Sequence, residues 1–99
     1  MAYKINAKEL REKLEEYVII DVREADELSE GKIDGSIHMP LGLTIKKAKK
    51  GMIDELKGKK ICTHCSTGYR GNIAADELIK WGFQAVTLEG GFAGWKQHQ

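Results

Sequence analysis

The sequence predicts an α/β fold, in which an open and mostly parallel β-sheet has helices on both faces. Short apolar runs of strand length alternate along the chain with segments whose apolar residues recur at helical spacing. The central runs are continuously apolar, as in "YVII", which is typical of strands that crossover helices bury on both sides. A chain of 99 residues has room for one domain, residues 1–99, because two separate cores would each be too small to be stable.

The first half of the chain is predicted to contain three strands and two helices. A brief strand at "YKI" is followed by a helix over Ala7–Glu16, for which Asn6 is a suitable N-cap. "YVIIDV" indicates a buried strand that ends near Val22, and "READELSEG" indicates a short helix that ends at Gly31. "SIHM" indicates a short strand that stops at Pro40, because proline cannot donate a backbone hydrogen bond.

The second half is predicted to contain two strands and several helical segments. "LTIKKAKKGMIDELKG" indicates one broken helix or two short helices with Gly51 at the break, and "KICTH" indicates the next strand. "GNIAADELIKWG" indicates a helix that begins near Gly71 or Asn72 and ends before Gly82. "AVTL" indicates the last strand, and "GGFAGWKQ" indicates a turn that leads into a short final helix.

Composition narrows the possible functions. The net charge is +1, so no overall field favours nucleic acid as a partner. The apolar runs are too short to span a membrane, and the N-terminus lacks the apolar stretch of a signal peptide, so we expect a cytoplasmic protein that does not enter membranes. Cys62 and Cys65 are too few for a secreted disulfide scaffold, and they indicate a reactive thiol or a metal site.

The segment Thr44–Lys60 is strongly basic, with seven lysines against Asp54 and Glu55. One interpretation is a docking face for an acidic partner protein. The other, which we favour, is a solvated helix and linker.

The loop "CSTGYR" joins a predicted strand to a predicted helix, at the sheet edge where α/β proteins bind ligands. Backbone N–H groups in such a turn and the helix dipole converge on an anion, so they favour a thiolate, the nucleophilic form of cysteine. Gly68 supplies a backbone conformation that is costly for other residues. Cys65 is therefore a candidate nucleophile, although a buried and inert cysteine is the alternative.

The same stretch, "HCSTGYR", resembles the HC-x5-R signature of cysteine phosphatases, in which an arginine holds two phosphate oxygens. Here four residues, not five, separate Cys65 from Arg70, which makes a tighter ring. A phosphatase also needs an acid for the leaving oxygen, and no aspartate is identifiable for that role. A small cysteine phosphatase or arsenate reductase is therefore disfavoured.

The motif "CTHC" is also compatible with a thioredoxin-like redox site or a zinc site. Cys62 lies inside a predicted strand, where side chains three apart point to opposite faces, so we expect it to pack in the core and not to resolve Cys65. His38, His64 and His98 do not show the spacing of zinc ligands, and no metal is expected. We interpret His64 as a hydrogen-bonded core residue, with tuning of the nucleophile as the alternative.

Four motifs together resemble the single-domain rhodanese family. They are "VIIDVRE", "GKIDGSIHMPLG", "CSTGYRG" and "LEGGFAGW", which follow the family's order and spacing from Val18 to Trp95. The resemblance implies a sheet of five parallel strands and an active loop from Cys65 to Arg70. It also implies a sulfurtransferase that moves sulfane sulfur from a donor such as thiosulfate to a thiol or cyanide acceptor. Cys65 would carry the sulfur as a persulfide, with no metal or organic cofactor.

The resemblance suggests roles for the rest of the loop. Its N–H groups would hold the persulfide, with Ser66 contributing at least its amide and Thr67 and Tyr69 lining the mouth. Arg70 would either steer an anionic donor or pair with a carboxylate. The persulfide-loop set is Ser66, Thr67, Gly68, Tyr69, Arg70 and Gly71. Many relatives have serine where this chain has Gly71, so Asn72 is a candidate replacement cap for the helix.

Asp21 and Arg23 follow the strand "VIID" at the same sheet edge. They could act as acid and base, but in this family they look more like a structural ion pair that supports the loops. The alternative function is a sulfur-carrier or docking module with little thiosulfate activity, whose partner would be a protein of a sulfur relay. We expect a monomer in either case.

Overall fold

Residues 2–97 are described by a computed structural model, and their strands form one parallel sheet. The strands are β1 (Tyr3–Ile5), β2 (Tyr17–Asp21), β3 (Ile37–His38), β4 (Lys60–His64) and β5 (Gln84–Leu88). Their order across the sheet is β1-β5-β4-β2-β3, and each pairing is parallel. The α/β fold and the five-stranded parallel sheet are confirmed.

In the described part of the chain, four α-helices connect or follow these strands, and three short 3-10 helices lie between them. The α-helices are α1 (Ala7–Glu12), α2 (Leu41–Lys49), α3 (Tyr69–Lys80) and α4 (Gly91–Gln97). The 3-10 helices are Leu14–Glu16, Ala25–Glu30 and Asp54–Leu56. No helix within residues 2–97 combines the length and apolar character needed to cross a bilayer.

The sheet separates two apolar cores, which confirms that helices cover both faces. Helices α2 and α3 pack on one face over Ile20 and Ile61, whereas α1 and α4 pack on the other over Ile19 and Cys62. Neighbouring residues of one strand belong to opposite cores because strand side chains alternate. Cys65 contributes to the first core and Cys62 to the second, as their spacing predicts.

Two helix boundaries differ from the prediction. Helix α3 begins at Tyr69 instead of near Gly71, because Gly68 takes a φ of 118° and acts as the N-cap. The backbone N–H of Asn72 donates to the Gly68 carbonyl at 3.0 Å, so Asn72 lies inside the first turn and its proposed capping role is wrong. The predicted helix over Ala7–Glu16 ends as an α-helix at Glu12 and continues as a 3-10 turn.

Parallel pairing brings the ends of β2 and β4 together. Asp21 is in register with His64, and the Val22 N–H donates to the His64 carbonyl at 2.9 Å. Cys65 follows directly, so the candidate nucleophile and the Asp21 carboxylate occupy the same edge of the sheet. This edge is where open α/β sheets bind their ligands.

Candidate active site

The Cys65 sulfur lies at the N-terminus of α3, immediately beyond β4. Its Sγ accepts hydrogen bonds from the backbone N–H groups of Gly68 at 3.1 Å and Gly71 at 3.3 Å. The free N–H groups and the dipole of a twelve-residue helix favour negative charge at this end. The geometry therefore suits an anionic sulfur at residue 65.

The start of α4 supports the loop from behind. Phe92 N–H donates to the Cys65 carbonyl at 2.7 Å, and Ala93 N–H donates to the Ser66 carbonyl at 3.0 Å. A Cβ atom on Gly91 would lie 2.5 Å from the Cys65 carbonyl oxygen, and Gly91 also has a φ of 59°. Gly91, the second glycine of "GGF", therefore allows the backbone of α4 to approach the backbone of the active loop closely enough to form these hydrogen bonds.

Gly71 is held against the strands beneath the loop. Thr63 Oγ1 donates to the Gly71 carbonyl at 2.6 Å. A Cβ atom on Gly71 would lie 2.9 Å from Thr87 Oγ1 and 3.1 Å from His64 Cα, so a side chain here would force the strand or the helix to move. The glycine in place of serine is thus matched to Thr87, which fills the adjacent space.

Arg70 pairs with a carboxylate, which is one of the two roles the sequence left open for it. Its Nη1 and Nη2 donate to the two carboxylate oxygens of Glu27 at 2.6 and 2.7 Å. Ser66 Oγ donates to Glu27 Oε2 at 2.7 Å, so Glu27 holds both ends of the loop. The Arg70 guanidinium, followed by the Ser66 hydroxyl, lowers the pKa of Glu27 far below its usual range.

Sequence reasoning missed Glu27. The local signal for its position was a capping box, since Glu27 Oε1 accepts from Glu24 N–H at 2.9 Å and so caps the Ala25–Glu30 helix. That signal explains the backbone but gives no indication of the loop 43 residues away. Only the tertiary fold brings the outward end of this glutamate to Arg70.

Asp21 and Arg23 form a buried ion pair at the end of β2, each side chain about 1% exposed. Arg23 Nη2 lies 2.7 Å from Asp21 Oδ2 and also donates to the Gly31 carbonyl at 2.8 Å. Arg23 Nη1 donates to the Glu27 carbonyl at 3.2 Å. Burial acts to raise the pKa of Asp21, but the side chain and backbone N–H of Arg23, together with the nearby His64, outweigh it and the net shift is downward. The pair thus fixes the segment that carries Glu27.

His64 is fully buried between the ion pair and the loop. Its Nε2 lies 3.6 Å from Asp21 Oδ2, and within residues 2–97 neither ring nitrogen has a hydrogen-bond partner. The expected core position of His64 is thus confirmed. Burial lowers the pKa of His64, so the ring is neutral near pH 7 and its edge adds no charge beside Cys65.

Comparison with known proteins decides the family. A model described as "Rhodanese-like domain" matches residues 6–98. The chain belongs to the rhodanese-like domain family.

Individual relatives of this rhodanese-like domain agree with that assignment. A Bacillus subtilis (strain 168) protein named "Putative sulfurtransferase YtwF" is 34% identical over 95 residues, covering 93% of this chain and 88% of that protein. "Putative sulfur carrier protein YrkF" from the same organism is 37% identical over 68 residues, which cover 69% of this chain and 35% of that protein. A rhodanese-related protein of Thermoplasma volcanium has a solved structure with a TM-score of 0.83 and 32% identity, covering 97% of this chain and 92% of that chain. The relatives support sulfur transfer or sulfur carriage in general.

Cys62 of the rhodanese-like domain is separated from the loop by the sheet. Its side chain is fully buried in the core under α1 and α4, and burial raises the pKa of its thiol to about 12. Cys62 and Cys65 are both free thiols. The position of Cys62 therefore matches core packing and not a redox partner.

Two cavities flank the loop. One of about 520 Å³ is bordered by Ser66 and Thr67 on the loop and by Phe92 on α4, and another of about 240 Å³ is bordered by Thr67 and Tyr69. Tyr69 is 77% exposed. Thr67 borders both cavities and Tyr69 borders the smaller one, so the expectation that they line the mouth of the site stays a prediction.

The lysine-rich segment does not adjoin this mouth. Leu41 N–H, at the start of α2, donates to the Val22 carbonyl at 3.1 Å, so α2 begins at the edge that holds the loop and runs back toward the opposite edge. The length of a five-residue strand separates the two edges, about 16 Å. The lysines in the last turn of α2 therefore lie at the far edge; they are Lys46, Lys47 and Lys49.

The histidines and cysteines do not form a metal-binding cluster in the described part of the chain. Across residues 2–97 the fold brings together no group of three His, Cys, Asp or Glu side chains that could hold a metal ion. His98 lies outside the described residues.

Proposed function

We propose that this rhodanese-like domain is a sulfurtransferase that carries sulfane sulfur as a persulfide on Cys65. The donor is a small molecule such as thiosulfate, or a persulfide, and the acceptor is a thiol or cyanide. The observation that carries the proposal is the pair of N–H donors on Cys65 Sγ, from Gly68 at 3.1 Å and Gly71 at 3.3 Å, at the N-terminus of α3. Such fixed donors stabilise an anionic sulfur without reorganisation.

In the loading step the Cys65 thiolate attacks the outer sulfur of thiosulfate. A sulfur–sulfur bond forms to Sγ, the sulfur–sulfur bond of thiosulfate breaks, and sulfite leaves with the electron pair. The product is a Cys65 persulfide anion, so total charge is conserved. The N–H groups of the loop, from Ser66 to Gly71, are the donors available to the added sulfur.

In the discharge step an acceptor attacks the outer sulfur of the persulfide. Cyanide forms a carbon–sulfur bond and leaves as thiocyanate, whereas a thiolate forms a new persulfide. In both cases the electron pair of the broken bond returns to Sγ and restores the Cys65 thiolate. Neither step requires a metal or an organic cofactor, because sulfur is both nucleophile and electrophile.

Location and partners form part of the proposal. We propose a cytoplasmic location, because a reducing compartment keeps a nucleophilic thiol such as that of Cys65 free. The likeness to a protein named as a sulfur carrier supports a relay partner. Such a partner has to reach the mouth beside Thr67 and Tyr69, so the lysines at the far edge are not its main contact. We propose that the domain acts as a monomer.

The phosphatase alternative is not favoured by the position of Arg70. Both terminal nitrogens of Arg70 donate to Glu27, so a phosphate that used the same N–H groups would have to compete with this carboxylate. The test is a substrate panel on wild type, Cys65→Ser and Cys62→Ala. We expect thiocyanate formation from a sulfane donor and cyanide in wild type and Cys62→Ala, and none in Cys65→Ser. Aryl phosphate hydrolysis without any sulfur transfer would refute the proposal.

A further inference from the structure

We propose that Glu27 determines which sulfur donor this domain uses. By neutralising Arg70 it removes positive charge from the mouth, and this favours thiol persulfides, protonated at their reacting end, over the thiosulfate dianion. The inference rests on the proposed function, because it concerns the donor that loads Cys65. It assigns Glu27 as a specificity-determining residue that acts through Arg70.

The ion pair between Glu27 and Arg70 lies directly at the active loop. Glu27 receives both terminal nitrogens of Arg70 and the Ser66 hydroxyl, all at 2.6 to 2.7 Å. This two-point geometry is the strongest that an arginine makes with a carboxylate. The Arg70 and Glu27 side chains are 31% and 24% exposed, so water screens the pair only in part. A donor that needs the Arg70 charge would have to displace Glu27 first.

Glu27 is not free to swing away from Arg70. Its Oε1 also accepts the Glu24 N–H at 2.9 Å, and its carbonyl accepts a hydrogen bond from Arg23 at 3.2 Å. Arg23 is itself fixed by its buried pairing with Asp21. The carboxylate is therefore held in place by the fold before any donor arrives.

Other charges near the mouth also balance. The larger cavity beside the loop has Glu30 and Lys96 on its border, and the smaller one has Lys4 and Glu89. Each cavity thus carries one acidic and one basic side chain, in addition to the paired Glu27 and Arg70. A dianion approaching Cys65 therefore gains no electrostatic attraction from these groups. A donor with an uncharged reacting end does not depend on such attraction, so its loading rate is unaffected by the missing positive charge.

The persulfide reaction balances without a co-reactant. The Cys65 thiolate attacks the outer sulfur of a protonated persulfide, a bond forms between Sγ and that sulfur, and the sulfur–sulfur bond of the donor breaks. The donor thiolate leaves with the electron pair, and Cys65 keeps the outer sulfur with its proton. In this form the donor carries no charge on its reacting sulfur, whereas both charges of thiosulfate lie next to the sulfur that reacts.

The experiment compares loading of Cys65 from thiosulfate and from glutathione persulfide in wild type, Glu27→Gln and Glu55→Gln. The first substitution keeps the size of the side chain and an oxygen for Ser66, but it releases the Arg70 charge. We expect Glu27→Gln to raise the thiosulfate rate roughly tenfold, an effect that added salt reduces, and to change the persulfide rate much less. Glu55→Gln removes an exposed acidic charge in the 3-10 helix Asp54–Leu56, which borders neither cavity beside the loop, so it is the matched control and leaves the ratio of rates nearly unchanged.

A second variant keeps the test decisive if Glu27→Gln folds poorly. Arg70→Gln leaves the Glu27 charge unpaired, so we expect it to slow thiosulfate loading relative to persulfide loading. An unchanged ratio of the two rates in both variants, or an equal loss with both donors, would overturn the inference and leave Glu27 with a structural role only. Absence of loading from either donor in wild type would overturn the proposed function itself.

Discussion

The buried pair of Asp21 and Arg23 gives the sharpest test of what holds the site together. The substitution Arg23→Met removes the guanidinium but keeps much of the buried volume, and it leaves the Asp21 carboxylate about 1% exposed without its partner. Breaking one side of a buried ion pair costs about 3 to 5 kcal/mol. A chain of about this size typically has a total stability of about 5 to 15 kcal/mol, so the substitution should remove a large fraction of it.

Urea unfolding of three proteins measures this cost. Wild type, Arg23→Met and the double variant Asp21→Asn/Arg23→Met are compared by circular dichroism, with equal slopes against urea as the condition for a two-state analysis. The double variant should be more stable than Arg23→Met, because it no longer buries an unpaired charge. A loss below about 1 kcal/mol in Arg23→Met, or a double variant that is less stable than the single one, would refute the reasoning.

Three further predictions concern the surroundings of the loop. Gly71→Ala should lower the free energy of unfolding by about 1 to 3 kcal/mol, because its Cβ would lie 2.9 Å from Thr87 Oγ1; urea unfolding measures the loss, which Thr87→Ala should partly restore. Lowering the pH from 7 to 5.5 should cost wild type up to about 1 kcal/mol more than His64→Phe in the same assay. Burial lowers the pKa of His64 in the folded protein, so below pH 6.5 the unfolded chain binds a proton that the folded chain does not. The free energy of unfolding therefore decreases as the pH is lowered through this range. Cys62 should resist iodoacetamide in the folded protein and react only after unfolding, as peptide masses would report; its modification under native conditions would contradict the buried position.

Local patterns were sufficient for most of the fold. The apolar run "YVII" predicted β2, and the helical stripe of Ala74, Ala75, Leu78 and Ile79 predicted α3. Ile79 is the exception in that stripe, because its side chain is 42% exposed. The start of α3 was misplaced because the decisive feature is the left-handed backbone of Gly68, which turns the chain into the helix one residue before Tyr69. The unusual backbone of Gly68 was expected from the loop, but the sequence does not show that the helix begins directly after it.

The nucleophile of the candidate site was predictable from the sequence, but the ion pair beside it was not. The position of Cys65 follows from strand, loop and helix in sequence order, which is local information. The pairing of Glu27 with Arg70 joins residues 43 positions apart through a 3-10 helix, and no periodic pattern encodes it. His64 was placed correctly in the core, but its missing hydrogen bonds depend on the backbone groups that the fold happens to bring near the ring.

The central claim is that Cys65 carries sulfur as a persulfide. The most direct measurement is the intact mass of wild type, Cys62→Ala and Cys65→Ser after incubation with thiosulfate or glutathione persulfide, before and after cyanide. The account predicts a gain of one sulfur atom in wild type and Cys62→Ala, its removal by cyanide, and no gain in Cys65→Ser. No gain from either donor in folded wild type with a free Cys65 thiol, or an equal gain in Cys65→Ser, would contradict it.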